Sequence, residues 1–162
     1  MTQKYLLATD GTPVSDEAER YAKQLLDPDH AELLLATVLE DVDEEQLQAS
    51  KEDINLETLD SRRQKEASNM LESRAESYRE KGFDVRTEVL HGQPGEELCK
   101  LGREENVRGI FLGRGKKGQL GEWFYGSVSH YVLLNADRSV IVTPSSTEET
   151  EEPDYRTSRM DK

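Results

Sequence analysis

Three segments of this 162-residue chain hold residue types whose spacing suits binding a ligand. The first is Gly113-Arg-Gly-Lys-Lys-Gly-Gln-Leu-Gly121, which has four glycines in nine residues together with Arg114, Lys116 and Lys117. Glycines let backbone N–H groups turn toward an anion with no Cβ in the way. The second is Gly126-Ser127-Val128-Ser129 at the start of an expected helix, where free N–H groups and the positive dipole end favour phosphate. The third is Thr9-Asp10-Gly11, a carboxylate at a turn that ends a short apolar run. The plainer alternative, a solvated loop whose glycines only make turns, fits the composition of the first segment equally well. Machinery for covalent catalysis is missing. No Ser-His-Asp set is evident, His30, His91, His130 and Cys99 share no metal spacing, and the P-loop pattern G-x-x-x-x-G-K-[ST] does not occur. The expectation is a binding protein and not an enzyme.

The overall charge limits the partners. With 21 Lys and Arg against 34 Asp and Glu the chain carries −13, which argues against nucleic acid, since duplex affinity comes from neutralising phosphates. It argues equally against an anionic membrane surface. The cationic loop is therefore a local reversal of sign. Hydrophobic and charged residues each make up 34%, a lean core under a charged surface. One cysteine excludes an intramolecular disulfide, and no apolar run approaches the ~20 residues of a membrane helix. The expected location is cytoplasmic. The acid excess reads either as a solubilising surface or, with 9 Lys to 12 Arg, as halophilic adaptation.

The elements that must position these groups alternate along the chain. Tyr5–Thr9 reads as a strand. A helix starting between Pro13 and Asp16, with Ser15 as its N-cap, presents Ala18, Tyr21, Ala22, Leu25 and Leu26 on one face. Glu32–Val38 is apolar enough for a buried parallel strand, and the acidic stretch from Glu40 to Asn55 reads as a loop. A long helix then carries Leu56, Leu59, Arg63, Ala67, Met70, Leu71, Arg74, Ala75 and Tyr78 near one face and closes at Lys81-Gly82. Asp84–Leu90 alternates like an edge strand, and a helix follows over Gly95–Glu105 with Leu98 and Leu101 inward. Gly109–Leu112, a helix over Ser127–Leu134 and the strand Ser139–Val142 complete the pattern. Strand alternating with helix through five strands predicts the α/β class, a parallel sheet with helices on both faces. The expected organisation is a domain over residues 1–144 and an acidic tail over 145–162, with six acidic side chains and too few apolar ones to order it.

These residues resemble the universal stress protein family. Its signature is G-x-x-G, nine residues, then G-S or G-T. Gly113 and Gly126-Ser127 stand at its ends with the right separation, while Lys116 occupies the second glycine position. Leu6-Leu-Ala-Thr-Asp10-Gly11, His91-Gly92-Gln93-Pro94 and the closing helix and strand extend the resemblance over residues 4–144. It implies a doubly wound sheet of order 3-2-1-4-5 and a cytoplasmic stress-response role with ATP, accompanied by Mg, across the ends of strands 1 and 4. Carried over by position, Asp10 would contact the adenosine, with Ala8 and Thr9 beside it. The Val38 backbone would meet adenine, and Gly113, Gly126, Ser127, Val128 and Ser129 would hold phosphates. A lysine at 116 would either block the backbone's approach to the phosphates or supply charge to them. The resemblance also implies a homodimer through the fifth strand, an uncharged β-branched edge.

Two alternatives stand beside this reading: a nucleotide-free homodimeric interaction module, and an adenylating enzyme, disfavoured by Asp10-Gly-Thr-Pro-Val14 where a serine- and glycine-rich loop belongs. Trp123, Phe124 and Tyr125 are expected to pack the loop against the sheet or to serve a subunit contact. Cys99 is expected to fill a helix as a small hydrophobe, and the three histidines to be structural.

Overall fold

The computed structural model describes residues 1–11, 13–42, 55–114 and 126–144. Lys116, the aromatic cluster at 123–125, most of the acidic connection and the tail lie outside them. The strands are β1 (Gln3–Ala8), β2 (Ala31–Leu39), β3 (Asp84–His91), β4 (Gly109–Gly113) and β5 (Ser139–Thr143). The helices are α1 (Pro13–Leu25), α2 (Leu56–Arg79), α3 (Pro94–Glu104) and α4 (Ser127–Asn135). The strands form one sheet of order β3-β2-β1-β4-β5 with every neighbouring pair parallel. This is the expected doubly wound sheet.

Pleating divides the core into two layers, because successive side chains on a strand point to opposite faces. Leu7, Leu33, Leu35 and Phe111 pack with Ala18 and Ala22 of α1 and Leu71, Ala75 and Tyr78 of α2. Leu6, Leu34, Ala36, Ile110 and Leu112 pack with Leu98 and Leu101 of α3 and Val132 of α4. β2 is thus apolar on consecutive residues because both its faces are covered. β3 is an edge, exposed at alternate positions.

Two local expectations are corrected. Ser15 is not an N-cap, since α1 begins at Pro13 and places Ser15 inside its first turn. The buried face of α1 is also rotated: Tyr21 and Leu25 are 45% and 57% exposed, while Glu19 is buried. The small Ala18 and Ala22 bring the helix close to the sheet. Glu19 tolerates burial because Arg74 of α2 bonds its carboxylate and that of Asp16. The Tyr78 hydroxyl donates to the Glu19 carbonyl at 3.1 Å. On α2 the buried residues are Ala67, Leu71, Ala75 and Tyr78, and Leu56 at its start is exposed. Asn55 caps that start, accepting from the N–H groups of Glu57 and Thr58.

At the amino ends of the strands, Glu105 accepts from Lys4 and Arg86, both at 2.6 Å. The Lys4 hydrogen bond, helped by Arg86, holds the Glu105 carboxyl below its ordinary value of 4.5. A carboxyl lowered by folding adds stability that is present above its unfolded pKa and lost as the pH falls through the folded one. Glu105→Gln is therefore expected to destabilise at neutral pH, with the difference from wild type shrinking as the pH drops below 4.5 in denaturant titrations. A pH-independent difference would contradict the ionic origin.

α3 and α4 touch at Gly95, where an added Cβ would lie 2.6–2.8 Å from the Tyr131 ring and side-chain base. Overpacking of this kind costs about 1–3 kcal/mol. Gly95→Ala is expected to lose about that much in urea denaturation, and an unchanged midpoint would contradict the close approach.

Candidate functional site

In doubly wound sheets ligands sit beyond the carboxyl ends of the strands, where the strand order reverses. Here that point is between β1 and β4. A cavity of about 200 Å³ lies there, or about 680 Å³ counted with the space open at its mouth. Its walls come from Ala8 at the end of β1, Thr9 and Asp10 after it, Ala36–Val38 of β2, Leu112 and Gly113 of β4, Pro94 and Leu98 of α3 and Val128 of α4. Ser15 and Glu40 complete the lining. A second chamber of about 180 Å³ shares Glu40, Pro94 and Val128 with the first and adds Gln93, Gly95, Glu96, Ser127 and Tyr131.

Of the residues singled out in the sequence, Ala8, Thr9, Asp10, Val38, Gly113 and Val128 meet in the first cavity, although they come from five separate elements and turns. Ser127 lines the adjoining chamber. Gly126 and Ser129 line neither: the buried Ser129 hydroxyl donates to the Gly126 carbonyl at 2.9 Å and braces the start of α4. Lys116 lies outside the described residues. Sequence reasoning missed Ser15, Ala36, Thr37, Glu40, Pro94, Leu98 and Leu112 as lining residues. Ala36, Leu98 and Leu112 signal only burial, Pro94 reads as a turn residue, and Ser15, Thr37 and Glu40 are ordinary polar residues.

The chemistry of the cleft is uneven. Most of the deep wall is apolar, from Ala8, Ala36, Val38, Leu98, Leu112 and Val128. Asp10 and Glu40 add two exposed carboxylates to the lining. The Glu40 backbone is held in place by Arg63, which donates to its carbonyl at 2.8 Å. At the first turn of α4 the cap Gly126 has no side chain to accept from the leading N–H groups, which have no side-chain cap among the described residues. Gly113 and Arg114 leave β4 beside β5, the Arg114 N–H donating to the Thr143 carbonyl at 2.7 Å. Among the described residues no cluster of His, Cys, Asp and Glu is arranged to hold a metal, and no described helix is long and apolar enough to cross a membrane. Burial pushes the Cys99 thiol up, in keeping with its place in the α3 core.

Sheet order and cleft together define a doubly wound α/β domain with a cavity at its switch point. The model of the universal stress protein family matches residues 1–144, and the chain belongs to that family. Universal stress protein MJ0577 of Methanocaldococcus jannaschii is 32% identical over 77 residues, a stretch spanning 48% of this chain and 48% of that relative. The chain thus matches about half the length of that curated relative in sequence. The solved structure of MJ0577 superposes over 91% of this chain and 99% of its own, at 26% identity and a TM-score of 0.76. A universal stress family protein of Arabidopsis thaliana solved with AMP bound shares the fold, at 14% identity and a TM-score of 0.64 over 93% and 97% of the two chains. So does a universal stress protein solved in complex with cAMP, at 19% identity and a TM-score of 0.65 over 89% and 98%.

Proposed function

We propose that the chain binds an adenine nucleotide, ATP first among them, in the cleft above β1, β2 and β4, and that it acts by binding rather than turnover. The observation that carries this reading is the cavity itself, whose apolar walls and volume of about 200 Å³ suit a purine ring. The Val38 backbone at its edge can read the adenine hydrogen-bonding groups. The placement of charge suggests an orientation. Asp10 and Glu40 accept hydrogen bonds from ribose hydroxyls and amino groups, and they repel phosphates. Phosphates are favoured instead near Gly113 and the positive amino end of α4. Two proteins of the same fold were solved with AMP and with cAMP, which adds support. Titration calorimetry on nucleotide-stripped protein is expected to register ATP binding, and Asp10→Ala to weaken it by about tenfold or more through loss of charge-assisted hydrogen bonds. No heat with millimolar ATP would overturn the reading.

The same proposal includes a homodimer through β5. This strand is a sheet edge with Val140, Ile141 and Val142 only half-buried, and nearby Leu133 and Leu134 of α4 are 46% and 71% exposed. An open, apolar edge is normally covered, and antiparallel pairing with a second copy covers it. Sedimentation is expected to give twice the 18.4 kDa chain mass, and Ile141→Lys to give the single-chain mass. A wild-type monomer at every concentration would contradict the dimer.

A further inference from the structure

Asp10 reaches the cleft from the turn that follows β1, and the contacts of its neighbours show how that turn is held. The Thr9 N–H donates to the Ala36 carbonyl at 2.9 Å, which fixes the end of β1 against β2. Beyond it the chain reverses through Gly11, whose φ of +78° lies in the left-handed region. The Gly11 N–H donates to the Thr9 Oγ1 at 3.3 Å, so the Thr9 hydroxyl bridges the turn across Asp10. That hydroxyl is in turn 3.0 Å from the Ser15 Oγ, in the first turn of α1. Thr9 and Ser15 are both buried, at 4% and 5% exposure, so water cannot readily replace one partner with the other gone.

We propose that Ser15 is a positioning residue of the cleft: its hydroxyl fixes the Thr9 rotamer, and the Thr9 hydroxyl holds the Gly11 N–H, so that the turn presents Asp10 to the ligand. This rests on the nucleotide reading of the cleft. The chain of contacts explains the form of the site. Thr9 has a branched side chain with a hydroxyl that can point into the cleft, toward the Gly11 N–H or away from both. Ser15 adds a second bond that selects one rotamer. Because Ser15 is anchored on α1, whose Ala18 and Ala22 pack on the sheet, the turn inherits the rigidity of the core. Pre-organising the carboxylate before binding lowers the ordering cost that the ligand must otherwise meet.

The test is a double-mutant cycle read in ATP affinity and melting temperature together. Ser15→Ala is expected to weaken ATP binding by about five- to tenfold, and Ser15→Thr, which keeps the hydroxyl, to bind within about twofold of wild type. In a Thr9→Val background Ser15→Ala is expected to add little, because its effect passes through Thr9. Four results would overturn the inference. Ser15→Ala melting lower yet binding ATP as tightly as wild type would make Ser15 merely structural. An effect that persists in full in the Thr9→Val background would make Ser15 a direct ligand contact. The third is Ser15→Thr binding as weakly as Ser15→Ala. The fourth is Ser15→Ala or Thr9→Val alone leaving both readouts unchanged. Wild-type protein that binds no ATP would instead remove the nucleotide reading, a separate and recognisable failure.

Discussion

β1 pairs in parallel with β2 on one side and β4 on the other, and the site depends on that double pairing. The connections β1-α1-β2 and β2-α2-β3 step one way along the sheet, and those through α3 and α4 step the other way. Parallel crossovers share one hand, so the two sets of helices must lie on opposite faces, as the two core layers show. At the carboxyl ends of β1 and β4 the chain therefore departs to opposite sides, and among the described residues no connection closes over the gap between them. The cavity is this gap. Leu6 and Leu7 lock it in place, each fully buried in a different layer, so that β1 cannot slip by one residue without exchanging both cores.

The electrostatics follow from the same geometry. The four described helices run against the strands, so their amino ends face the cleft side and their carboxyl ends the opposite side. A chain with net charge −13 thus keeps a local preference for anions where α4 begins. At the opposite end Lys4, Arg86 and Arg103 lie among Glu32, Glu105 and Asp137, and they suit the negative helix ends there. The two carboxylates in the cleft divide its space by sign, with Asp10 and Glu40 on the lining and the α4 amino end beyond.

Strand and helix order were legible because each strand has a continuous or alternating apolar run bounded by Gly, Pro or Asp. The strand order itself was available only through the resemblance carried by Gly113, Gly126-Ser127 and Asp10. The face of α1 was misread because hydropathy favours Tyr21 and Leu25, while the helix packs through alanines and buries Glu19 against Arg74, a partner 55 residues away. Periodicity cannot register such a pairing. Within the cleft, Thr9, Asp10 and Gly113 were legible from their places at strand ends, and Ala8, Val38 and Val128 only through the family resemblance. Ser15 and Glu40 were not, since a serine inside a first helical turn and a glutamate after a strand are unremarkable until the fold brings them to one cavity. Ser129 shows the converse: its place in the family motif suggested a ligand contact, and its hydroxyl is committed to the Gly126 carbonyl.

The central claim is that the gap between β1 and β4 is the nucleotide's seat. Amide chemical-shift mapping of the ¹⁵N-labelled chain during an ATP titration tests it most directly. The account predicts the largest shifts at Thr9, Asp10, Val38, Gly113 and Val128, with Arg108 and Ser139 at the opposite end unmoved. Shifts centred on the amino ends of the strands, or a spectrum unchanged at millimolar ATP, would contradict it.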